Sequence, residues 1–237
     1  MDDTTWELIE AERVSLADLF DTFSAEQWES ASLCTEWRVR DVAAHLAMTP
    51  AGAPTVRTML KALIVNRGHL WAAGRDVAVA YAARPTDRLV DELRRDASLH
   101  TKPIVVSADN ILLDLVVHGQ DITVPLGITR TISAPAGQIS LRRLWAMGWP
   151  FRARRRWSDV SLRAEDCDWS GGQGPSVSGP AAAILLLLTG RTAALDQLHG
   201  PGVELVHRRV EPQRHQRDTT SQPRYRPDVR HHHHDHR

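Results

Sequence analysis

The segment from Ile111 to Asp121 is the feature that most limits how this chain folds, because polar residues recur within an otherwise aliphatic run. Asp114, His118 and Asp121 are four and three positions apart, and residues at these spacings lie on one face of an α-helix. A carboxylate in an apolar stripe costs on the order of several kcal/mol unless it is paired or binds a cation. The segment therefore predicts a helix that projects two carboxylates and one imidazole together into a packed interior.

A second histidine, His45, occurs in a comparable context. Val42, His45 and Leu46 line one face of another predicted helix. A single histidine on an apolar face is more often a core residue that hydrogen-bonds to a carbonyl or a carboxylate. Two facing helices would instead offer two imidazoles and one carboxylate to a single metal ion. The residues alone leave both interpretations open.

Composition and charge exclude several classes of protein. The 237 residues are enough for one large domain or two smaller ones, and a hydrophobic content of 42% is typical of a globular chain. Lys plus Arg and Asp plus Glu both number 29, so no net charge favours nucleic acid or an anionic membrane. The run from Arg152 to Arg156 is locally basic, and we interpret it as a solvated connector, with an anion-binding patch as the alternative.

The sequence also bears on location and partners. The longest aliphatic run, Ala181 to Leu188, is well short of the roughly 20 residues that a transmembrane helix needs. The first six residues are acidic, whereas a signal peptide begins basic and then becomes apolar, and two cysteines cannot form a disulfide framework. We therefore expect a cytoplasmic protein, a monomer or a homodimer, that binds neither nucleic acid nor a membrane.

Helical spacing dominates the first half of the chain. Apolar residues three and four positions apart predict a first helix from Trp6 to Phe23. Ser24 and Gln27 form a predicted capping box for a short helical turn that carries Trp28. Each of these elements would contribute an apolar face to a common core.

Three further helices are predicted before residue 127. Thr35 is a candidate N-cap for a long helix that reaches His45, is interrupted at residues 49–54 and resumes at Val56. Leucines between residues 89 and 99 mark another helix, and a boundary at Pro103 precedes the helix that carries Asp114. Four principal helices with longer connections favour an up-down four-helix bundle. Cys34 is expected to be buried near the end of this bundle, with no histidine tied to it by the sequence.

From about residue 151 the pattern changes to short strands and turns. Residues 160–165 alternate as a strand does, residues 167–175 are typical of a glycine-rich turn or hairpin, and Val177 continues into a second strand. An apolar helix then runs from Ala181 to Thr189, with Gly190 as its C-terminal cap. A further helix is expected from Ala193 to Leu198 and a last strand over residues 203–206.

We therefore predict an α+β protein with three parts. Residues 1–150 would form the helical bundle, and residues 151–209 a small αβ domain. Residues 210–237 are rich in Arg and His and poor in aliphatics, so a disordered tail is expected. The tail histidines can chelate transition metals but lack a fixed geometry, and we expect no function for them.

Two motifs resemble those of a known family. The segment from Leu33 to Leu46, LCTEWRVRDVAAHL, is similar to the signature of the DinB-like bundles in the mycothiol-dependent maleylpyruvate isomerase family. The segment from Asp114 to Ile122, DLVVHGQDI, resembles the second metal motif of that family. Residues 168–171 and 179–191 also resemble stretches common among its members. The resemblance covers about residues 1–206, and its first motif is specific to the superfamily rather than to one reaction.

The resemblance implies a divalent metal, most often zinc, that is held by His45, Asp114 and His118. The family typically has glutamate where this chain has the shorter Asp114, which is a departure at a proposed ligand. Asp121 is interpreted as a group that orients the imidazole of His118 rather than as a ligand. Arg191 is the candidate catalytic residue, because a guanidinium binds the carboxylate of a substrate or thiol in a bidentate manner. A charge that stabilises a helix C-terminus is the alternative role for Arg191.

An open coordination position determines the predicted chemistry. Three such ligands leave a tetrahedral zinc free to take water or a thiol, and a coordinated thiol is deprotonated at neutral pH. In the resembled family the thiol is mycothiol, which adds to an activated double bond or displaces a leaving group. We predict an isomerase or S-transferase that uses metal and mycothiol on an electrophilic small molecule. The alternatives are a metal-dependent hydrolase, and a metal-binding or small-molecule-binding module without catalysis, which the shorter Asp114 favours.

Overall fold

The computed structural model describes residues 2–50, 70–102 and 106–220. Within these ranges eight helices precede a small sheet: α1 (Asp2–Phe20), α2 (Ala25–Glu29), α3 (Val39–Met48), α4 (Leu70–Tyr81), α5 (Thr86–Arg95), α6 (Ala108–Thr123), α7 (Ala134–Ala146) and α8 (Ala153–Trp157). The described remainder consists of β1 (Ser161–Ala164), β2 (Ser170–Gly171), β3 (Ser176–Gly179), α9 (Ala181–Leu188), a 3₁₀ turn (Leu195–Gln197) and α10 (Val203–Thr220). None of the described helices is both long and apolar enough to span a membrane.

Helices α1, α3, α5 and α6 form the predicted four-helix bundle. Both α1 and α3 pack against α5 and against α6, so the four helices enclose one core. The core residues are spaced as the sequence predicts, with fully buried side chains that include Ile9, Leu16, Leu46, Leu93 and Leu112. The α+β fold, a DinB-like helical bundle followed by a small αβ unit, is confirmed.

Helix α6 is the central element of the molecule. It contacts α7 and α9 in addition to α1 and α3, and twelve of its sixteen residues are buried. The exceptions are Asp109, Asn110, Asp114 and His118, and the last three follow one another at intervals of four. Since residues four apart share a helix face, a single polar stripe of α6 remains accessible.

The capping predictions are confirmed at one helix and wrong at another. Ser24 and Gln27 form the predicted reciprocal capping box of α2. Thr35 does not cap the helix that carries His45, because that helix begins only at Val39. The backbone N–H of Arg38 donates to the Asp41 carboxylate instead, and the same carboxylate accepts from the Arg38 guanidinium.

The sheet has the strand order β2-β1-β3, with β1 antiparallel to β2 and parallel to β3. Its tight turn requires glycine at position 172, where φ is +79° and a Cβ would lie 2.0 Å from the carbonyl oxygen of Val160. Helix α9 follows β3 directly and packs against α6 and α7. The chain up to Val203 forms one compact body, and its last part, from β1 to Val203, is called the C-terminal unit. The boundaries proposed for separate domains stay predictions.

Several predicted elements near the end of the chain are wrong. Residues 203–206 begin helix α10 rather than a strand, and Val203, Val206 and Val210 recur at intervals of three and four. Between Ala193 and Leu198 the chain forms only a 3₁₀ turn. Helix α7 was not predicted. Of the expected tail, residues 210–220 continue α10, and residues 221–237 lie outside the described residues. The helix predicted to resume at Val56 begins outside the described residues, and so does the boundary predicted at Pro103.

Candidate metal centre

One histidine from α3 and two polar residues from α6 meet at the accessible stripe of α6. The Nε2 atom of His45 lies 2.9 Å from Oδ2 of Asp114, and Nε2 of His118 lies 3.3 Å from Oδ1 of the same carboxylate. The ring centroids of His45 and His118 are 5.0 Å apart. The structure therefore brings together all three residues that the sequence nominates as metal ligands.

The other ring nitrogen of His118 contacts a buried carboxylate. Nδ1 of His118 lies 2.9 Å from Oδ2 of Asp121, whose side chain has no exposed surface. An Nδ1–H that donates to this carboxylate leaves Nε2, which faces Asp114 and His45, as the ring nitrogen that can bind a metal once it has lost its proton. Asp121 thus has the geometry of the orienting group that its spacing suggests.

Arg191 completes this chain of contacts from the C-terminal unit. Its Nε donates to Oδ1 of Asp121 at 2.8 Å, and its Nη2 donates to Oδ2 at 2.6 Å, a bidentate ion pair. The remaining Nη1 donates to the carbonyl oxygen of Thr189 at 3.2 Å. In this structure Arg191 binds a protein carboxylate, and its predicted contact with a substrate carboxylate stays a prediction.

The end of α9 explains how Arg191 reaches Asp121. Gly190 has φ of +86° and donates its N–H to the carbonyl of Leu187, while the N–H of Arg191 bonds to the carbonyl of Leu186. These two bonds define a Schellman motif, which reverses the chain after a helix and places the next residue in a fixed direction. The predicted C-terminal cap at Gly190 therefore directs the guanidinium toward α6.

Cys34 lies against the same residues, which the sequence did not predict. Its Sγ is 3.0 Å from Oδ2 of Asp121, 3.6 Å from Nδ1 of His118 and 3.7 Å from Nη2 of Arg191. The loop is held by the N–H of Leu33, which donates to the backbone carbonyl of Asp121 at 3.0 Å. Cys34 is half-buried rather than buried, and it lies beside His118 although the sequence ties no histidine to it.

Trp37 forms one wall of the site. Its ring centroid lies 5.6 Å from that of His45 and 6.1 Å from that of His118. Trp28, on α2, is instead buried against Phe20 and Phe23. Of these two tryptophans, only Trp37 shields the imidazoles.

Charge coupling sets the protonation states of the metal-free site. Burial raises the pKa of Asp114, but the charges of His45 and His118 outweigh it and hold that pKa far below its usual range. Burial lowers the pKa of His118, but Asp114 and the hydrogen bonds to Asp114, Asp121 and Cys34 raise it well above its ordinary value. Burial also raises the pKa of Asp121, and its hydrogen bonds with His118 and Arg191 reverse this. Both carboxylates are therefore ionised and His118 is protonated at neutral pH.

The chemistry of the donor set fits a divalent metal. Ligand atoms of His45, Asp114 and His118 all lie within 4.8 Å of one another, and two imidazoles with one carboxylate are ordinary zinc ligands. Cys34, His118 and Asp121 satisfy the same distance criterion. However, Asp121 already forms the bidentate pair with Arg191, whose positive charge opposes a cation at that position. The first set is therefore the better candidate.

Comparison with known proteins agrees with this architecture. The family model described as the mycothiol maleylpyruvate isomerase N-terminal domain matches residues 9–123, which include His45, Asp114 and His118. Residues 9–123 are therefore similar to this domain family. The resemblance seen in the sequence motifs is thus confirmed. The match ends at Thr123, so Arg191 lies beyond it. No curated protein sequence matches the chain significantly.

Two solved structures share the fold over most of the chain. One is the crystal structure of the mycothiol-dependent maleylpyruvate isomerase, with 15% identity and a TM-score of 0.53. The other is a histidine-to-alanine mutant of that enzyme, with 14% identity and a TM-score of 0.52. Each comparison covers 85% of this chain and 93% of the other chain. At such low identity the likeness concerns the fold alone.

Proposed function

We propose that this protein is a metal-dependent and mycothiol-dependent isomerase or S-transferase that acts on an electrophilic small molecule. The observation that carries the proposal is the position of His118, with Nε2 beside Asp114 and His45 and Nδ1 fixed by the buried Asp121. The similarity of residues 9–123 to this domain family and the fold likeness to a mycothiol-dependent maleylpyruvate isomerase support the same conclusion.

His45, Asp114 and His118 would hold the metal, for which zinc is the best candidate given two imidazole donors and one carboxylate. A bound zinc ion would lower the pKa of a coordinated thiol and so supply a thiolate at neutral pH. Asp121 and Arg191 keep the ring of His118 in one tautomer and one orientation. Helices α3 and α6 thus carry the proposed ligands, and Arg191 of the C-terminal unit fixes the orientation of His118 through Asp121.

A small molecule can reach this set of residues. The side chain of Asp114 retains 37% of its exposure and that of His45 retains 25%, whereas Asp121 behind them retains none. Trp37 limits the access of water to the imidazoles on one side. The proposed ligand atoms of Asp114 and His45 are therefore accessible from solvent, and the carboxylate of Asp121, which orients His118, is buried behind them.

A hydrolase is the weaker alternative because activation of water requires a general base beside the metal. Among the described residues, the carboxylates that contact these imidazoles are Asp114 and Asp121. Asp114 is a proposed ligand, and Asp121 is engaged by Arg191 and His118. The contacts therefore favour a thiol over water as the reacting group.

The test is an assay of the zinc-loaded chain with mycothiol and maleylpyruvate, in which substrate and product are followed by chromatography and S-conjugates by mass spectrometry. Turnover should require both the thiol and the metal. His118→Ala should lower the rate at least about a hundredfold, because loss of a ligand exceeds the typical effect of an outer hydrogen-bond partner.

His199→Ala is the matched control, since His199 is exposed and pairs with Glu165 away from the proposed ligands. Its rate should equal that of the unaltered chain. A chain that holds about one equivalent of zinc but gives neither isomerised product nor S-conjugate would instead be a binding module.

A further inference from the structure

A cavity of about 590 Å³ lies beyond the C-terminal end of α7. Its lining combines an apolar wall with cationic side chains and consists mainly of Trp145, Met147, Arg152, Arg154, Arg155 and Ser158. The lining residues include none of the proposed metal ligands or their partners. The basic run that the sequence marks as a connector or an anion-binding patch thus borders an open cavity at the surface.

The stretch of sequence that contributes the lining is rich in arginine. Residues 122–158 contain seven arginines and no aspartate or glutamate, although acidic and basic residues balance over the whole chain. In the part of the chain that the structure describes, the guanidinium groups of Arg152, Arg154 and Arg155 form no ion pair. Arg130, by contrast, pairs with Glu12. Three uncompensated cations around one cavity repel one another, and a bound anion would relieve that repulsion.

The backbone at the cavity is strained. Arg152 has φ of 49° and ψ of 39°, a left-handed conformation that is unfavourable for a residue with a Cβ. Its N–H donates to the carbonyl of Gly148, another lining residue, at 2.6 Å. Local strain of this kind is concentrated at ligand sites, where surrounding contacts maintain it.

The apolar wall is preorganised. The ring of Trp145 packs edge-on against Trp169, with centroids 5.7 Å apart and an interplanar angle of 77°. Trp145 therefore borders the cavity while contact with the ring of Trp169 restricts its orientation. Met147 adds a polarizable side chain that adapts to an irregular ligand.

We propose that this cavity binds a small organic anion that carries a carboxylate or phosphate group on a planar apolar body. Its volume is in the range of small-molecule sites. Guanidinium groups recognise carboxylates and phosphates through paired hydrogen bonds, and a flat ring packs against an indole. The site is independent of the metal centre, because it shares no residue with it.

The test uses 1-naphthyl phosphate as the probe and isothermal titration calorimetry on the full chain. We expect one binding site that weakens as salt is added. Arg154→Gln combined with Arg155→Gln should weaken binding about tenfold or more, because two of the three guanidinium groups that line the cavity are lost. Neutral 1-naphthol should bind more weakly than the phosphate, and Trp145→Leu should reduce affinity for the naphthyl compound but not for inorganic phosphate.

Two controls separate this site from others. Arg88→Gln combined with Arg163→Gln removes the same charge from exposed positions outside the cavity and should leave the affinity unchanged. His118→Ala should also retain binding, since it alters only the metal centre. The proposal would be overturned if the Arg154/Arg155 double variant bound the probe as tightly as the unaltered chain, or if both double variants lost affinity equally. Loss of binding in His118→Ala, or no binding at millimolar probe, would also overturn it.

Discussion

At the scale of single residues, Asp114 shows that a shorter carboxylate can reach both imidazoles. Its two oxygens lie 2.9 Å from His45 and 3.3 Å from His118, because α3 and α6 pack directly against each other. The typical glutamate of the resembled family would extend one methylene further. The close approach of the helices therefore makes the extra length unnecessary.

We accordingly expect Asp114→Glu to leave zinc affinity unchanged or to weaken it by up to about tenfold, since the longer side chain has to bend to reach the same position. Competition with a chelating dye measures this change. Asp114→Asn is the control that keeps the shape and removes the charge, and it should weaken binding more. Tighter binding by Asp114→Glu would show instead that the short carboxylate is a defect.

Zinc affinity should also depend on pH through His118. Its pKa is raised in the metal-free protein, so a proton occupies the imidazole at neutral pH and the metal has to displace it. Affinity should therefore rise about tenfold per pH unit up to the raised pKa of His118 and level off above it. Zinc titrations over a pH series test this expectation.

The Asp121→Asn variant tests whether this pH dependence follows the pKa of His118. A neutral amide accepts a weaker hydrogen bond from Nδ1 than the carboxylate does, and that hydrogen bond is one cause of the raised pKa of His118, so the pH range over which zinc affinity rises should shift to lower pH. The assigned protonation state would be contradicted by a zinc affinity that is the same at every pH. It would also be contradicted if the pH range over which affinity rises shifted to higher pH in Asp121→Asn.

The sequence identified the three proposed ligands but not all of the residues that contact them. Asp114, His118 and Asp121 are neighbours on one helix, so their spacing alone places them on one face. Cys34 is 84 positions from His118, and Arg191 is 70 positions from Asp121. Such contacts depend on how a loop and a helix end fold back onto α6, for which local periodicity carries no signal.

At the scale of elements, the Arg191–Asp121 pair connects the end of α9 to α6. Asp121 is fully buried, and Arg191 supplies a bidentate partner. Removing one member of a buried ion pair leaves an uncompensated charge. This pair therefore contributes to folding as well as to the orientation of His118.

We expect Arg191→Gln to lower the free energy of unfolding by about 3–5 kcal/mol, the usual consequence of breaking a buried pair. Urea denaturation measures it. Arg94→Gln is a matched control, because Arg94 pairs with Asp18 and Asp21 at the exposed surface, and its effect should be much smaller. Equal effects of the two substitutions would mean that the buried pair has no special role in stability.

The elements that the sequence predicts well are those with long periodic patterns. Helices α1 and α6 extend over 19 and 16 residues, and their apolar spacing identifies them. Residues 203–206 were wrongly predicted as a strand because four residues fit an alternating and a helical pattern equally well. Helix α7 did carry a signal, since Ser133 caps it and Leu141 and Leu144 are buried three positions apart.

At the scale of the whole molecule, the bundle supplies the proposed ligands and the C-terminal unit supplies the residue that fixes one of them. Residues 9–123 match the family model and contain His45, Asp114 and His118, while Arg191 follows the sheet and α9. The up-down bundle and the small αβ unit were both predictable from the change of pattern near residue 151. Their mutual packing through α9 was not, because an apolar helix does not specify which neighbour covers it.

Metal content is the most direct test of the central claim, that His45, Asp114 and His118 form a metal site. The chain should be shortened to end at Thr220, which keeps α10 and removes the histidines at residues 231–236. Plasma mass spectrometry after zinc loading should find about one equivalent in this chain and almost none in its His118→Ala variant. Equal metal in the two chains, or none in either, would contradict the assignment and leave His45 and His118 as core histidines.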